Sequence, residues 1–478
     1  MAKPNILFLM IDGVQGRLFE PGSPCRTPYL TALAADGVRI SRAYAANPIC
    51  SPSRATLVTG LLPHNHGVHD VIHSAPADEC CLRLDKPHWA QRLVAAGYRT
   101  GYFGKWHVER SVDLARFGWQ VNGSTDGEYY SQRDKVTAGG DQKQTYAPGK
   151  TLAVPDGYKP SLLYGVVAEP AGMRSPGRTT AQADLFLQDA IANPEPWCCF
   201  VSLSEPNEPP VCGRGAYDEY PLDAIKLPAT QHDNLAGRPG LYAKSAGLWN
   251  HLSDREKREL LASQYGSITE IDALFGRLLE RLQNSGALEN TIVVFTSDHG
   301  NLLGAHGLLA HNVSAFEELY HIPMILRGPG LAQDQVREGI VSLADVGPTL
   351  LDLCGLEGLR TPDAKSFAAL LGPNGAKAST SFNATYAEYF GARYRLTQRV
   401  LWENGWKFVF NGFDHDEMYD LKNDPQELRN LADDPAHRER ADTMMAAVWR
   451  RIRDTGDKTL WESHWPGVRW ARVGPLKA

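Results

Sequence analysis

No apolar run in this chain approaches the roughly 20 residues that a membrane-spanning helix needs, so no membrane partner is expected. Cysteine is sparse, with eight in 478 residues. The eight positions (25, 50, 80, 81, 198, 199, 212 and 354) show neither metal-site nor disulfide-framework spacing. That argues against a disulfide-stapled secreted scaffold and for reduced core thiols in a cytoplasmic protein. A basic surplus is missing too: the formal net charge is −6, which leaves no electrostatic footprint for nucleic acid or an anionic membrane. An anionic substrate would have to be held by a local site. No internal repeat and no coiled-coil pattern is visible. The segment from Met1 to Asp12 lacks the length and the small-residue cleavage site of a signal peptide and reads as a first buried strand.

What is present is ordinary globular material, 43% hydrophobic and 22% charged. Apolar runs of strand length occur at residues 5–11, 99–103, 198–203, 291–297 and 323–326. Helical patterns lie between them. Thr27-Pro28 opens one with Leu30, Leu33 and Ala34 on a face and Gly37 as its stop; residues 261–282 direct Ile268, Ile271, Phe275, Leu278 and Leu282 inward. Strands alternating with helices predict an α/β sandwich around a mostly parallel sheet, with its chemistry at the carboxyl ends of the strands. Asp12, Lys105, Asn207 and Asp298 each follow a predicted strand. Residues 118–178 and 206–240 are long and polar with little periodicity, the composition of lids, substrate walls, oligomer contacts or disordered segments. After the Gly/Ala/Ser-rich stretch 372–380 the pattern changes to short strands at 384–390, 399–403 and 406–411 and a helix over about 436–453. The chain thus divides into an α/β domain, 1–378, and a smaller C-terminal α+β subdomain, 379–478. The tail of the latter carries Trp461, Trp465 and Trp470 and leaves a homo-oligomer open.

The most informative stretch is Asn47-Pro48-Ile49-Cys50-Ser51-Pro52-Ser53-Arg54-Ala55-Thr56-Leu57-Val58-Thr59-Gly60. Pro52 fits a first helical position and Gly60 a helix stop. Cys50 then lies just ahead of a helix whose N-terminal end favours an anion.

This run resembles the signature of the type I sulfatases, Cys-x-Pro-Ser-Arg followed by Thr-Gly. The resemblance implies an alkaline-phosphatase-like α/β/α sandwich and a sulfuric ester hydrolase that releases sulfate and an alcohol from a small-molecule or saccharide ester. It also implies that a formylglycine-generating enzyme oxidises Cys50 to formylglycine (3-oxoalanine), an aldehyde that adds water and attacks sulfate through a geminal hydroxyl. A second element, Asp298-His299-Gly300-Asn301 with His306-Gly307 further on, is similar to the family's metal-binding segment. With Asp12 and the hydrated residue 50, Asp298 and His299 are expected to hold one divalent cation, Ca²⁺ first, with Mn²⁺ or Mg²⁺ as rivals.

Gly104-Lys105-Trp106-His107 resembles another family element, implying that Lys105 contacts nucleophile and sulfate and that His107 is the base that releases sulfate. The resemblance further implies that Arg54 holds developing charge and that Asp298 helps deprotonate the nucleophile. Residues 417–431 are similar to the family's C-terminal run. Three positions depart from the pattern. Gly13 stands where many members have a second acid; the single Asp12 paired with Asp298-His299 resembles instead choline-sulfatase-like and phosphonate-monoester-hydrolase-like relatives. Asn207 replaces a substrate-binding histidine. A lysine is replaced by His311 or, one residue on, Asn312, which makes His311 the expected acid for the leaving oxygen and a substrate contact. Fewer fixed positive charges keep a phosphonate monoester hydrolase or phosphodiesterase as the alternative. Of the other histidines, His66 is read as shaping a loop and His69 and His73 as candidates for a pocket wall; with His64, none is assigned as a ligand.

Overall fold

A computed structural model describes residues 3–73, 82, 85–110, 113–125, 146–311, 314–359, 361–461 and 466–478. Cys80, Cys81, Asn312, Trp465 and part of the 118–178 stretch lie outside the described residues. The centre is a nine-stranded sheet: β10 (His321–Ile322), β2 (Val38–Tyr44), β11 (Met324–Arg327), β9 (Thr291–Ser297), β1 (Asn5–Ile11), β7 (Trp197–Ser202), β3 (Arg99–Gly104) and β4 (Val121–Ser124) in spatial order, with β12 (Gln335–Ser342) also on β2. Strands β9, β1, β7, β3 and β4 are mutually parallel, and β11 runs against them.

β1 is buried on both faces, as the middle of a parallel sheet requires. Its alternate residues feed two cores. Ile6, Phe8 and Met10 pack with α2 (Cys50–Thr59), α3 (Trp89–Ala95) and α6 (Val346–Leu353) through Leu57, Trp89 and Leu350. Leu7, Leu9 and Ile11 pack with α1 (Pro28–Ala35), α4 (Ser175–Ile191) and α5 (Asp254–Asn284) through Leu30, Leu187 and Phe275. The result is the α/β/α sandwich that the sequence predicts. The 118–178 stretch, read from sequence as a long polar loop, contains β5 (Gly149–Leu152) and β6 (Ser161–Val167), which join β8 (Val211–Gly213) in a small sheet and precede α4. The six cysteines among the described residues are buried free thiols. No helix of the described residues is long and apolar enough to cross a membrane.

In the C-terminal part, β13 (Ala384–Tyr389), β14 (Gln398–Glu403), β15 (Trp406–Asn411) and β16 (Glu417–Asp420) form an antiparallel sheet backed by α7 (Arg438–Thr455). Buried charges tie it to the larger part. Lys407 Nζ donates to Glu427 Oε1 at 2.6 Å and to Glu317 Oε1 at 3.2 Å. His64, on the turn after α2, meets acceptors at both ring nitrogens: Nδ1 to Glu388 Oε1 at 2.7 Å, Nε2 to Thr455 O at 3.1 Å. Only the doubly protonated ring satisfies both, and Thr455 O ends α7, where the helix dipole favours a cation. Burial opposes that charge, but Glu388 outweighs it and raises His64 to about 9. Such a clasp is complete below the free histidine pKa of about 6.5 and is lost as pH rises through about 9. His64→Gln should therefore cost about 2–3 kcal/mol in urea unfolding near pH 6 and little near pH 10; an equal cost at both would exclude an imidazolium clasp.

Candidate active site

β1 and β9 are in register with Ile11 beside Ser297, so the first residue after each strand is a carboxylate and Asp12 lies next to Asp298. Past β3, Lys105 N donates to Ser202 O at the end of β7. Lys105 then reaches back over Asp12, donating from Nζ to Oδ2 at 2.5 Å. α2 begins at Cys50 itself, with Ile49 as its cap and Gly60 ending it at φ 67°. Cys50 is thus the first helical residue rather than the one ahead of the helix. Pro52 is tolerated as the third because first-turn amides have no partner within a helix.

Arg54, one turn in and 1% exposed, is the keystone. Its Nε donates to Asp298 Oδ2 and its Nη2 to Asp12 Oδ2, both at 2.7 Å, while Nη1 donates to Lys105 O and Ser202 Oγ at 2.8 Å. All three nitrogens face protein acceptors.

The Oδ1 atoms face the other way. Asp12 Oδ1 is 3.8 Å from Cys50 Sγ and 3.7 Å from His299 Nε2; Asp298 Oδ1 is 3.8 Å from the same nitrogen, and Cys50 Sγ is 3.1 Å from it. His299 Nδ1 donates to Gly300 O at 2.8 Å, which aims Nε2 at the cluster. Burial, Asp298 and Cys50 together lift Asp12 to about 6 despite Lys105 and Arg54. Burial acts the same way on Asp298, but there Arg54 prevails and its pKa is lowered. Burial also opposes ionisation of Cys50, yet Lys105 and His299 bring the thiol well below its usual range.

One ligand atom from each of Asp12, Cys50, Asp298 and His299 lies within 4.8 Å of the others. Beside them Asn207 Oδ1 is buried without a hydrogen-bond partner among the described residues, its Nδ2 3.9 Å from Cys50 Sγ. Carboxylate and amide oxygens with one imidazole fit a hard divalent cation, which would also relieve the repulsion on Asp12. Gly13 belongs to the same feature. It sits at φ +68°, and a Cβ there would come within 2.9 Å of Asn207 Oδ1, so a side chain at residue 13 would be strained and would have to displace the end of Asn207.

His311 stacks on His299 with ring centroids 4.5 Å apart and pairs through Nδ1 with Glu208 Oε2 at 2.6 Å. Burial opposes the charged ring, but Glu208 raises His311 well above the ordinary range. Glu208 also accepts from Asn301 Nδ2 at 2.5 Å, and Gln15 Nε2 donates to Asn301 O at 2.8 Å. Sequence reasoning passed over Glu208, although a carboxylate in the strand-end segment Glu205-Pro206-Asn207-Glu208-Pro209 was there to be weighed. His107 Nδ1 lies 3.4 Å from Ser51 Oγ. His66, 3.1 Å from Thr56 Oγ1 and accepting from Val68 N, shapes a loop as expected. His69 stacks on Phe390, 4.6 Å between centroids.

A strand-edge pair of carboxylates, a buried nucleophile position and converging cations define a metal-assisted hydrolase of anionic esters. A family profile described as Sulfatase matches residues 4–356, and the chain belongs to the sulfatase family. A second profile, the C-terminal part of N-sulphoglucosamine sulphohydrolase, matches residues 304–454. Choline-sulfatase of Rhizobium meliloti (strain 1021) is 28% identical over 461 residues, covering 91% of this chain and 83% of that protein. Arylsulfatase K of Xenopus laevis is 26% identical over 463 residues, covering 90% and 79%. In fold the chain is similar to the phosphonate monoester hydrolase of Silicibacter pomeroyi, with a TM-score of 0.78 at 24% identity over 96% of this chain and 97% of that one. The phosphonate monoester hydrolase of Agrobacterium radiobacter gives 0.73 at 22%, covering 95% and 96%. The protein is a sulfuric ester hydrolase, and its family implies a divalent metal and a formylglycine.

Proposed function

We propose that the chain hydrolyses small-molecule or saccharide sulfate esters with formylglycine at position 50, after oxidation of Cys50 by a formylglycine-generating enzyme. The observation that carries this reading is the placement of Cys50 Sγ at the start of α2, within 4.8 Å of ligand atoms of Asp12, Asp298 and His299. Those residues would hold the metal, with Ca²⁺ as first candidate for so oxygen-rich a set. When bound, the cation polarises the ester oxygens and the hydrated aldehyde supplies the attacking hydroxyl. Arg54 fixes the spacing of the two aspartates, and Asp298 accepts a proton from the nucleophile. Lys105 Nζ balances charge on the ester oxygens, and Asn207 contacts them. His311 donates a proton to the leaving oxygen, and His107 takes one up as sulfate departs.

Mass spectrometry across residue 50, on protein made with a formylglycine-generating enzyme, should show aldehyde in place of thiol. Hydrolysis should vanish in Cys50→Ala. An unmodified thiol in protein that still hydrolyses esters would refute this mechanism.

A second reading, phosphonate monoesters or phosphodiesters, is favoured by one observation: Glu208 offsets His311 and Asn207 is neutral, so the pocket has less charge for a strongly anionic group. Relative kcat/KM on an aryl sulfate, an aryl phosphonate and an aryl phosphodiester decides between the two. The buried thiols suit the cytoplasm. The proposed division at residues 378 and 379 lies just before the second sheet, which begins at Ala384, and Trp470, 62% exposed, is a candidate contact for a homo-oligomer.

A further inference from the structure

We propose that Asn47 is the positioning residue of the nucleophile, holding the start of α2 against the open edge of the C-terminal sheet. This rests on the reading of residue 50 as the nucleophile.

The start of α2 has little of its own to fix it. Its cap is Ile49, whose apolar side chain accepts nothing from the first turn, and Pro52 has no N–H to offer. Where residue 50 sits is therefore decided by what holds residues 46–49. They lie along β13, which stands at the end of its four-stranded sheet, with β14 on one side only among the described residues. An open strand edge presents backbone donors and acceptors that need partners. At Glu388 both are taken by this segment. Glu388 N donates to Ala46 O at 3.0 Å, and Glu388 O accepts from Asn47 Nδ2 at 2.7 Å. The Asn47 amide stands in for the next peptide group of an added strand.

The other end of that amide reaches the helix: Asn47 Oδ1 accepts from Ile49 N at 3.1 Å. Only one orientation of the amide satisfies both bonds, because a backbone carbonyl only accepts and a backbone N–H only donates. Asn47 is buried. The side chain of Ile49 is seated on the same part of the molecule, in a cluster with Tyr389 and Ala392. Glu388 holds the chain again after the helix, its carboxylate accepting from His64 N at 3.1 Å and pairing with His64 Nδ1 at 2.7 Å, with Arg399 Nε 4.0 Å away. The two flanks do different work. Further along the helix, Ser53 Oγ donates to Asp298 O at 2.5 Å and Arg54 grips both aspartates, which fixes the rotation of α2. The Asn47 bonds fix the end at which residue 50 must meet Asp12, Asp298 and His299, where a displacement of about 1 Å costs about 10²-fold in rate.

The test uses full-length protein matured by a formylglycine-generating enzyme, with kcat on an aryl sulfate divided by the aldehyde content of residue 50 from mass spectrometry. Asn47→Ala removes both bonds, and kcat per aldehyde should fall at least about tenfold with KM changed less than about threefold. Asn47→Ser keeps a local acceptor for Ile49 N but is too short to hold Glu388 O, and should show a comparable loss; it carries the test if Asn47→Ala does not fold. His64→Gln loosens the other flank, and near pH 6 it should keep kcat within about twofold despite its lower stability. A smaller loss than tenfold in Asn47→Ala overturns the proposal. So does full kcat in Asn47→Ser, which would reduce Asn47 to a local turn, or an equal loss in His64→Gln, which would make general loosening the cause. Hydrolysis surviving in Cys50→Ala would refute residue 50 as nucleophile and the proposal with it, whereas an inactive Cys50→Ala beside a fully active Asn47→Ala refutes the proposal alone.

Discussion

Arg54→Leu is expected to abolish ester hydrolysis and to lower stability by about 3–5 kcal/mol, the cost of stranding a buried charge partner. Arg54 is the shared counter-ion of two carboxylates that have no access to water. Asp12 already stands at about 6 with Arg54 present, so removing the guanidinium leaves only Lys105 and His299 facing the two acids and favours a proton on one of them. A protonated aspartate neither binds a hard cation well nor accepts a proton from the nucleophile. Arg54→Lys should rescue little, because one ammonium cannot reproduce the fork that reaches Asp298 from Nε and Asp12 from Nη2. Urea unfolding and an aryl sulfate assay on both variants check this. A stable, active Arg54→Lys would show that charge alone, without the fork, holds the site.

The second large effect concerns the leaving group. His311→Ala should reduce kcat/KM by about 10²- to 10⁴-fold on an alkyl sulfate, and by no more than about tenfold on an aryl sulfate with an acidic phenol, which departs without a proton. Glu208→Gln should give a smaller loss with the same dependence on the leaving group, since Glu208 pairs with Nδ1 at 2.6 Å and favours the protonated ring. Equal losses on both ester types would make His311 a binding residue and return the acid role to an unidentified group.

Much of the centre of this fold could be read from hydrophobic runs. β1 and β9 have the predicted bounds because they are buried on both faces and so mostly apolar. β2 was missed: Arg39, Ser41 and Arg42 interrupt its run, and only Val38, Ile40, Ala43 and Tyr44 are buried. β12 was missed similarly, with exposed Gln335, Val336 and Glu338 masking its apolar end. The start of α5 at Asp254 rather than 261 was signalled by Ser253 and Glu256, which form a capping box, but the charged first turns carry no apolar period. In the site, single residues at strand ends were visible because the strands were. Glu208 was not, and His73 was seen only as a pocket-wall candidate, because their meaning lies in partners, His311 and His107, that are far away in sequence.

Gly13 and Asn207 show how such partnerships constrain change over time. One volume serves both positions, with 2.9 Å between Asn207 Oδ1 and any Cβ at residue 13. Any side chain at residue 13 has to adopt a positive φ and push the end of Asn207 aside within the cluster, so a library that varies residue 13 alone should return glycine.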